Sequence, residues 1–457
     1  MNPLQTARTC ELHVHPGGCL TTEDLIELGK ENYETIDWTL FTESYQNAFG
    51  ILPDPVVLYQ EALSNPHLGI KRFKDLYVYS EKDGGDFGRF QAKFNLIICV
   101  MKYLRTKKNG LARYFQQVVN RHHSEGINTV EYRCGCGNET DDGFFNFHVT
   151  HAQVLQKAPQ NHARYIISLR RWAPIEDYER VQNLLNKRPD LIPIIVGIDF
   201  AHVEEGYPPK NVRSLFERIH QDNQQNPERT LGITYHVGES YFDKSLESAV
   251  RWCHEAAKMG VRRLGHAIAL GLDPAIAITR RPNAHAKELV SERLDQIVYD
   301  LSQANELTAY GIHIDPIALQ KEKELLQHKN LDEYIERPYD EQRLQDIRNR
   351  QHFVLDQLTK LGTIIESCPT SNLRIGGVPN PAHHPIHQFL KSNVNLAIGA
   401  DDPGIFDMTL SDEIDWILAN TNWNEKDLAE RLGDPRRFLL SAKRPALSNP
   451  IEALCYE

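Results

Sequence analysis

The sequence predicts an α/β chain folded as a (β/α)8 TIM barrel with helical insertions over its catalytic face. Three observations carry that prediction. Short runs rich in β-branched and aromatic residues alternate with amphipathic runs of helical period, the pattern of a parallel sheet wound with crossover helices. There are eight such runs, the number that closes a barrel. No internal repeat, low-complexity segment or Pro/Gly-rich linker divides the 457 residues, so 1–457 is expected to form one barrel domain.

The first run, CELHVH at 10–15, ends in P-G-G. His13 and His15 are two apart and lie on one face of the pleat, the spacing a bidentate metal clip needs. An edge strand with two exposed histidines has the same pattern. A lid-like segment follows over about 20–108, with helical stretches such as TEDLIELGKEN and FNLIICVMKYLRT. Phe87, Phe90 and Phe94 form an aromatic stripe there that suits either a lid lining or helix packing.

The next runs are INTVEYR (127–133), ARYIISLRR (163–171), IPIIVGIDFA (192–201), LGITYHVGE (231–239) and RRLGHAI (262–268). A strand–helix–strand unit takes roughly 30 residues, yet about 270–360 is long, charged and helical in pattern. It is expected to be an insertion after the sixth strand, a helical appendage by default, with a lid or an oligomer contact as alternatives. GTIIESCPTSN (362–372) and VNLAIGADDP (394–403) complete the eight, and the chain after Ile405 supplies closing helices.

A formal net charge of −11 argues against a nucleic-acid partner, which normally meets a basic face. The N-terminus lacks the apolar core of a signal peptide, and LIICVM at 96–101 is far too short to span a bilayer. A soluble, cytoplasmic protein without a membrane partner is expected. The eight cysteines are too scattered for a disulfide framework, and Cys134 with Cys136 lacks the second pair that a metal or redox site requires.

The chemistry centres on TYHVGES, 234–240: a strand runs into His236, turns at Gly238 and presents Glu239. Alone, this describes any loop carrying a His and a Glu. Its meaning comes from the other strand ends, which hold His13, His15, His266, Asp401 and Asp402. Strand eight closes beside strand one, so these segments can meet. Three histidines and an aspartate suit one zinc ion per chain with a position left for water. His202-Val203-Glu204 offers an H-x-E, but the P-C-x-x-C partner of cytidine-deaminase-type zinc sites is missing. Two-metal barrel hydrolases need a bridging carboxylate or modified lysine after strand four, and GIDFAHVEE supplies no lysine.

The ordered set ELHVHPGG, HVGE, LGHA, CPTSN and ADDP, spanning residues 11–403, resembles the adenosine deaminase family of the metal-dependent amidohydrolases. FQAKFN and EGINTVEYR resemble that family's lid helix and second strand. The resemblance implies zinc ligands at His13, His15, His236 and Asp401. Glu239 matches the proton donor to purine N1, and His266 the residue that orients and deprotonates the attacking water. Asp402 matches the acceptor facing N7, and Asp401 also counts among the catalytic residues. Ser371 and Asn372 either brace the seventh strand's end or cap the following turn.

Two positions depart from the family. Its His-x-His is followed by an aspartate that accepts the ribose 5′-hydroxyl, where this chain has Gly17. Losing that carboxylate removes an acceptor and a charge that would repel a 5′-phosphate. After strand four, in a stretch resembling D-L-A-G-x-E, His202 replaces the glycine whose N–H meets N3. His15, Gly17, His202 and Asp402 are therefore the expected substrate-facing residues. Arg170, Arg171 and Arg374 are candidate phosphate partners or ordinary structural arginines.

The resemblance implies hydrolytic loss of the 6-amino group from adenosine or an adenosine-like nucleoside or nucleotide, with a small-molecule purine as partner and a homo-oligomer left open. The alternatives are a silent purine-binding scaffold on the same barrel, or an aminohydrolase for a free base or non-purine. A scaffold requires neither Glu239 nor His266.

Overall fold

A computed structural model describes residues 3–85, 87–281 and 286–441. Residues 282–285 of the expected insertion, the chain beyond 441 and Cys455 lie outside the described residues. The strands are β1 (Cys10–Val14), β2 (Thr129–Cys134), β3 (His162–Ser168), β4 (Ile195–Asp199), β5 (Gly232–Val237), β6 (Arg263–His266), β7 (Lys287–Leu289), β8 (Tyr334–Glu336), β9 (Ile364–Ser367) and β10 (Asn395–Ile398).

All eight expected runs are present, and they form one sheet in the order β1-β2-β3-β4-β5-β6-β9-β10. The pairings β1–β2, β2–β3, β3–β4, β5–β6 and β6–β9 are parallel. Val14 forms a parallel bridge with Asp401, joining the first strand to the chain just past the last. The fold is thus a (β/α)8 barrel, nearly closed. Strands buried on both faces read as near-continuous apolar runs, which is why the sequence exposes them.

The strand ends differ from the sequence reading. CPTSN does not extend the seventh strand but forms the helix Pro369–Arg374, and the chain after Asp402 forms the helix Pro403–Phe406. In each case proline lacks the N–H a strand ladder needs and is pre-set for the first helical turn. β7 and β8 pair antiparallel inside the expected insertion, an element the sequence reading did not contain.

The chain divides into two compact units. One comprises the chain up to Asp199 with Cys368–Gly376 and Ile398–Leu439. It holds β1 to β4 and the expected lid-like segment, which is helical over Thr22–Gly29, Thr39–Phe49, Pro55–Ser64, Pro66–Tyr77 and Phe87–Arg105. Phe90 is buried and packs on Tyr79 and Phe406 at ring-centroid distances of 5.6 and 5.7 Å, so this aromatic belongs to helix packing. Helices Gly110–Ser124 and Asp141–Gln156 are tied to the sheet by buried His–Tyr pairs: His122 Nδ1 with Tyr132 Oη (2.8 Å) and His148 Nδ1 with Tyr165 Oη (2.9 Å).

The other unit comprises, among the described residues, Phe200–Ser367, Gly377–Ala397 and the two residues Leu440 and Ser441. It holds β5, β6 and β9, with a buried Arg263–Glu366 pair at 2.7 Å between β6 and β9. The expected insertion is helical over Pro274–Arg280, Val290–Ser302, Ala304–Ala309, Pro316–Leu326 and Glu341–Leu361. Ion pairs fasten it to helix Leu246–Lys258: Arg343 grips Glu247 at 2.6 and 3.0 Å, and Arg251 meets Glu292 at 2.5 Å. No helix among the described residues is long and apolar enough to cross a membrane. The seven described cysteines are all free thiols.

Candidate active site

In the first unit, β1 delivers His13 fully buried, with His15 just past the strand's end. Glu11 fixes the register of this end: its Oε1 accepts the His13 N–H at 2.8 Å and its Oε2 accepts the Ala400 N–H at 3.0 Å. Asp401 N–H donates to the His13 carbonyl (2.9 Å), and His15 N–H donates to the Asp401 carbonyl (3.0 Å). The two imidazoles are consequently edge-on, 5.7 Å between centroids, with both Nε2 atoms facing one carboxylate oxygen. Asp401 Oδ1 lies 3.5 Å from His13 Nε2 and 3.3 Å from His15 Nε2.

The second oxygen of Asp401 is committed elsewhere, since Ser371 Oγ donates to Oδ2 at 2.6 Å. Ser371 thus holds Asp401, past the last strand, a contact that neither sequence expectation named. Its neighbour Thr370 donates its N–H and hydroxyl to the buried Glu413 carboxylate at 3.0 to 3.1 Å. Burial pushes Glu413 up to about 8, partly offset by these Thr370 hydrogen bonds. For His15, burial opposes the charged imidazolium, but the hydrogen bond and charge of Asp401, with Asp402 behind it, outweigh burial and raise it to about 9. A cation is favoured at this point, and two imidazole nitrogens with one carboxylate oxygen, all within 4.8 Å of one another, form a donor set that suits zinc.

Asp402 is buried beside Gly18, where a Cβ would fall 1.6 Å from its Oδ1. Only glycine allows that approach. Gly17 differs, because a Cβ there would meet Phe94 at 3.5 Å and Ile97 at 3.8 Å, ordinary contacts.

In the second unit, β5 carries the buried His236, whose ring lies 5.5 Å from that of His266 at the end of β6. His266 Nε2 is 3.7 Å from Glu239 Oε1, with His266 buried and Glu239 about one-fifth exposed. The turn between His236 and Glu239 needs Gly238: its φ is +66°, and a Cβ would meet Cys253 Sγ at 2.6 Å. The same turn is held from below by Glu204, which accepts the N–H groups of Gly238 (3.0 Å), Glu239 (3.1 Å) and Ser240 (3.0 Å). His202 is exposed and has φ +70°, a left-handed backbone at the position where the resembling family has glycine.

The structure therefore groups His13, His15, Asp401 and Ser371 in one unit, and His236, Glu239 and His266 in the other. Two of the three candidate phosphate arginines, Arg170 and Arg374, are structural. Arg170 is bidentate on Asp177 with a further bond to Asn138 at 3.0 Å, and Arg374 donates to the carbonyls of Tyr79 and Phe406 at 2.9 and 2.6 Å. Sequence reasoning missed Glu11, Gly18, Lys244 and the role of Glu204. The first two sit inside a motif already singled out, ELHVHPGG; Glu204 stood in the rejected H-x-E and in the stretch resembling D-L-A-G-x-E, with no role assigned to it in either.

Comparison with known proteins gives the following. Residues 341–433 match the family model described as Adenosine deaminase. An adenosine deaminase of Shewanella denitrificans is 32% identical over 96 residues, 21% of this chain and 29% of the relative. The chain spans less than a third of the length of the curated relatives it matches. Two solved structures share the fold. The Arabidopsis N6-mAMP deaminase MAPDA has a TM-score of 0.54 at 14% identity, covering 96% of both chains. A Burkholderia ambifaria amidohydrolase with bound Zn has a TM-score of 0.53 at 12% identity, covering 94% of this chain and 85% of that one.

Proposed function

We propose, from the match of residues 341–433 to the family model described as Adenosine deaminase, that the chain is a zinc-dependent aminohydrolase that replaces the 6-amino group of an adenosine-like purine with oxygen. The observation that carries this is the facing of both Nε2 atoms of the His-x-His pair onto a single oxygen of Asp401. His13, His15, His236 and Asp401 are the ligands in this reading. When bound, zinc supplies the Lewis acidity that makes water a nucleophile at neutral pH.

The remaining chemistry belongs to side chains. Glu239 donates a proton to ring N1, which makes C6 electrophilic; His266 orients the attacking water and accepts its proton. Water oxygen adds to C6, its second proton passes to the amino nitrogen, the C6–N bond breaks, and the amino group leaves as ammonia. Asp402 faces the purine at N7. Gly17 places no carboxylate where a 5′-substituent would lie, so a 5′-altered nucleoside or a nucleotide is the favoured substrate class. The likeness to an N6-mAMP deaminase and the bound Zn of a second structural neighbour support this reading.

The test is ammonia or methylamine release by the zinc-loaded protein from adenosine, deoxyadenosine, AMP, N6-methyl AMP, 5′-methylthioadenosine and adenine. Turnover with preference for 5′-altered compounds is expected. Glu239→Gln should retain stoichiometric zinc and lose the reaction; full activity in that variant rules out the mechanism.

A further inference from the structure

We infer that Glu204, charge-balanced by Lys244, is a positioning residue that fixes Glu239 as the proton donor, an inference that rests on the catalytic role proposed for Glu239 above. Glu204 is only 3% exposed. Its Oε1 takes the N–H of Gly238, and its Oε2 takes the N–H groups of both Glu239 and Ser240. Three successive amides of one turn pointing at one carboxylate make an anion-holding nest, and hydrogen bonds to an ionised acceptor are the strong kind.

The counter-charge is local. Lys244 is fully buried, with Nζ 3.7 Å from Glu204 Oε1, 2.6 Å from Asp243 Oδ1 and 4.1 Å from the Trp252 ring centroid. The lysine also donates to the Ser240 carbonyl at 3.2 Å, and Asp243 accepts the Gly206 N–H at 2.9 Å. The segments 204–206 and 238–244 are thereby stitched at several points. The Glu239 carboxylate faces His266 at 3.7 Å and is about one-fifth exposed. The backbone that carries it is set by Glu204, which takes the N–H groups of Glu239 and of the residues on either side.

An amide at position 204 cannot reproduce this. Whichever way a glutamine is turned, its NH2 faces at least one backbone N–H, a donor against a donor, and the charge facing Lys244 is gone. A proton donor displaced by about 1 Å costs on the order of 100-fold in rate, whereas binding of the purine and of zinc uses other residues.

The experiment compares zinc-loaded wild type, Glu204→Gln, Glu204→Asp and Glu239→Gln on whichever of adenosine, AMP and N6-methyl AMP the wild type turns over best. Zinc content and amide hydrogen exchange over 238–240 are measured on the same samples. Glu204→Gln should lower kcat about 10- to 100-fold, change KM less than about threefold, keep one zinc and speed exchange at 238–240. Glu204→Asp, which keeps the charge, should fall between it and wild type. Unchanged kcat and exchange in Glu204→Gln overturns the inference, as does a loss of activity that merely tracks loss of zinc with no rescue by aspartate. Should the glutamine variant fail to fold, Glu204→Asp decides: lowered kcat with zinc retained supports the role, and wild-type kcat overturns it. An active Glu239→Gln, or a wild type inert on all three compounds, sinks the proposed function and this inference with it; an inactive Glu239→Gln beside a fully active Glu204→Gln sinks this inference alone.

Discussion

Left-handed backbone at a residue with a side chain costs roughly 1–2 kcal/mol and persists only where the surroundings over-determine it. Among the described residues, the non-glycine positions with positive φ are Asn109, His202, His266, Ala267, Asp401 and Asp407. Three of these, His202, His266 and Asp401, are residues that the motifs had already singled out. Asp401 shows what holds such a residue: β1 grips its backbone on both sides and Ser371 takes one carboxylate oxygen. Replacing Ser371 by alanine frees that oxygen and should weaken zinc binding about 10- to 100-fold, read by competition with a chelator; wild-type affinity would mean the brace is idle. The adjacent glycines separate cleanly. Gly18→Ala drives a methyl into Asp402 and should cost about 1–3 kcal/mol of stability together with activity, while Gly17→Ala, with Phe94 at 3.5 Å, should be tolerated. Equal melting temperatures for the two variants would contradict this. The residues proposed as ligands and proton donor stand out in the sequence because residue type and spacing are local signals. Glu204 does not, because its partners are backbone amides 34 to 36 positions away, which leave no mark in side-chain identity.

At the scale of elements, the eight strands were legible for the same reason that they are stable: burial on both faces selects apolar, β-branched runs. The errors fell at strand ends, where Pro369 and Pro403 start helices, and in the insertion, where β7 and β8 have three residues each and carry no periodicity to read. The insertion's attachment was equally hidden, since it depends on charged residues pairing across helices. Arg350, on Glu341–Leu361, is bidentate on Asp300, on Val290–Ser302, at 2.6 and 2.9 Å, and both side chains are more than nine-tenths buried. Removing one partner strands a buried charge, so Arg350→Leu should destabilise this unit by about 3–5 kcal/mol. The double change with Asp300→Leu should recover most of that, because two apolar groups replace a pair whose desolvation cost was already large. A double-mutant cycle in denaturant checks it; additive losses would show that the pair is not what fastens these helices.

Over the whole molecule, buried titratable groups fix how stability depends on pH. Burial holds four helix-borne histidines neutral: His122 and His254 are lowered to about 3, His151 to about 4, and His148 well below its ordinary value. Each is bonded to a tyrosine hydroxyl, as Tyr132, Tyr299, Tyr114 and Tyr165 respectively, and an imidazolium there would lack solvation. Below pH ~6.5 the unfolded chain protonates these histidines and the folded chain does not. The stability they contribute is therefore complete above that pH and is lost as pH falls toward 3 to 4, by up to ~1.4 kcal/mol per pH unit for each. Glu413 works in the opposite direction. Burial raises it to about 8, so the folded chain keeps a proton that the unfolded chain gives up, and its contribution is present at low pH and lost as pH rises from about 4.5 to 8. Between pH ~4.5 and ~6.5 the histidines outweigh it; above ~6.5 Glu413 acts without them. Unfolding free energy of the zinc-loaded protein, followed by denaturant titration from pH 4.5 to 8.5, should rise steeply to a maximum near pH ~6.5 and then decline gently. Glu413→Gln should flatten the decline and leave the acid limb intact, and His254→Gln should make the acid limb shallower. A profile that keeps rising through pH 8, or an acid limb unmoved by His254→Gln, would show that these buried groups do not set the pH dependence.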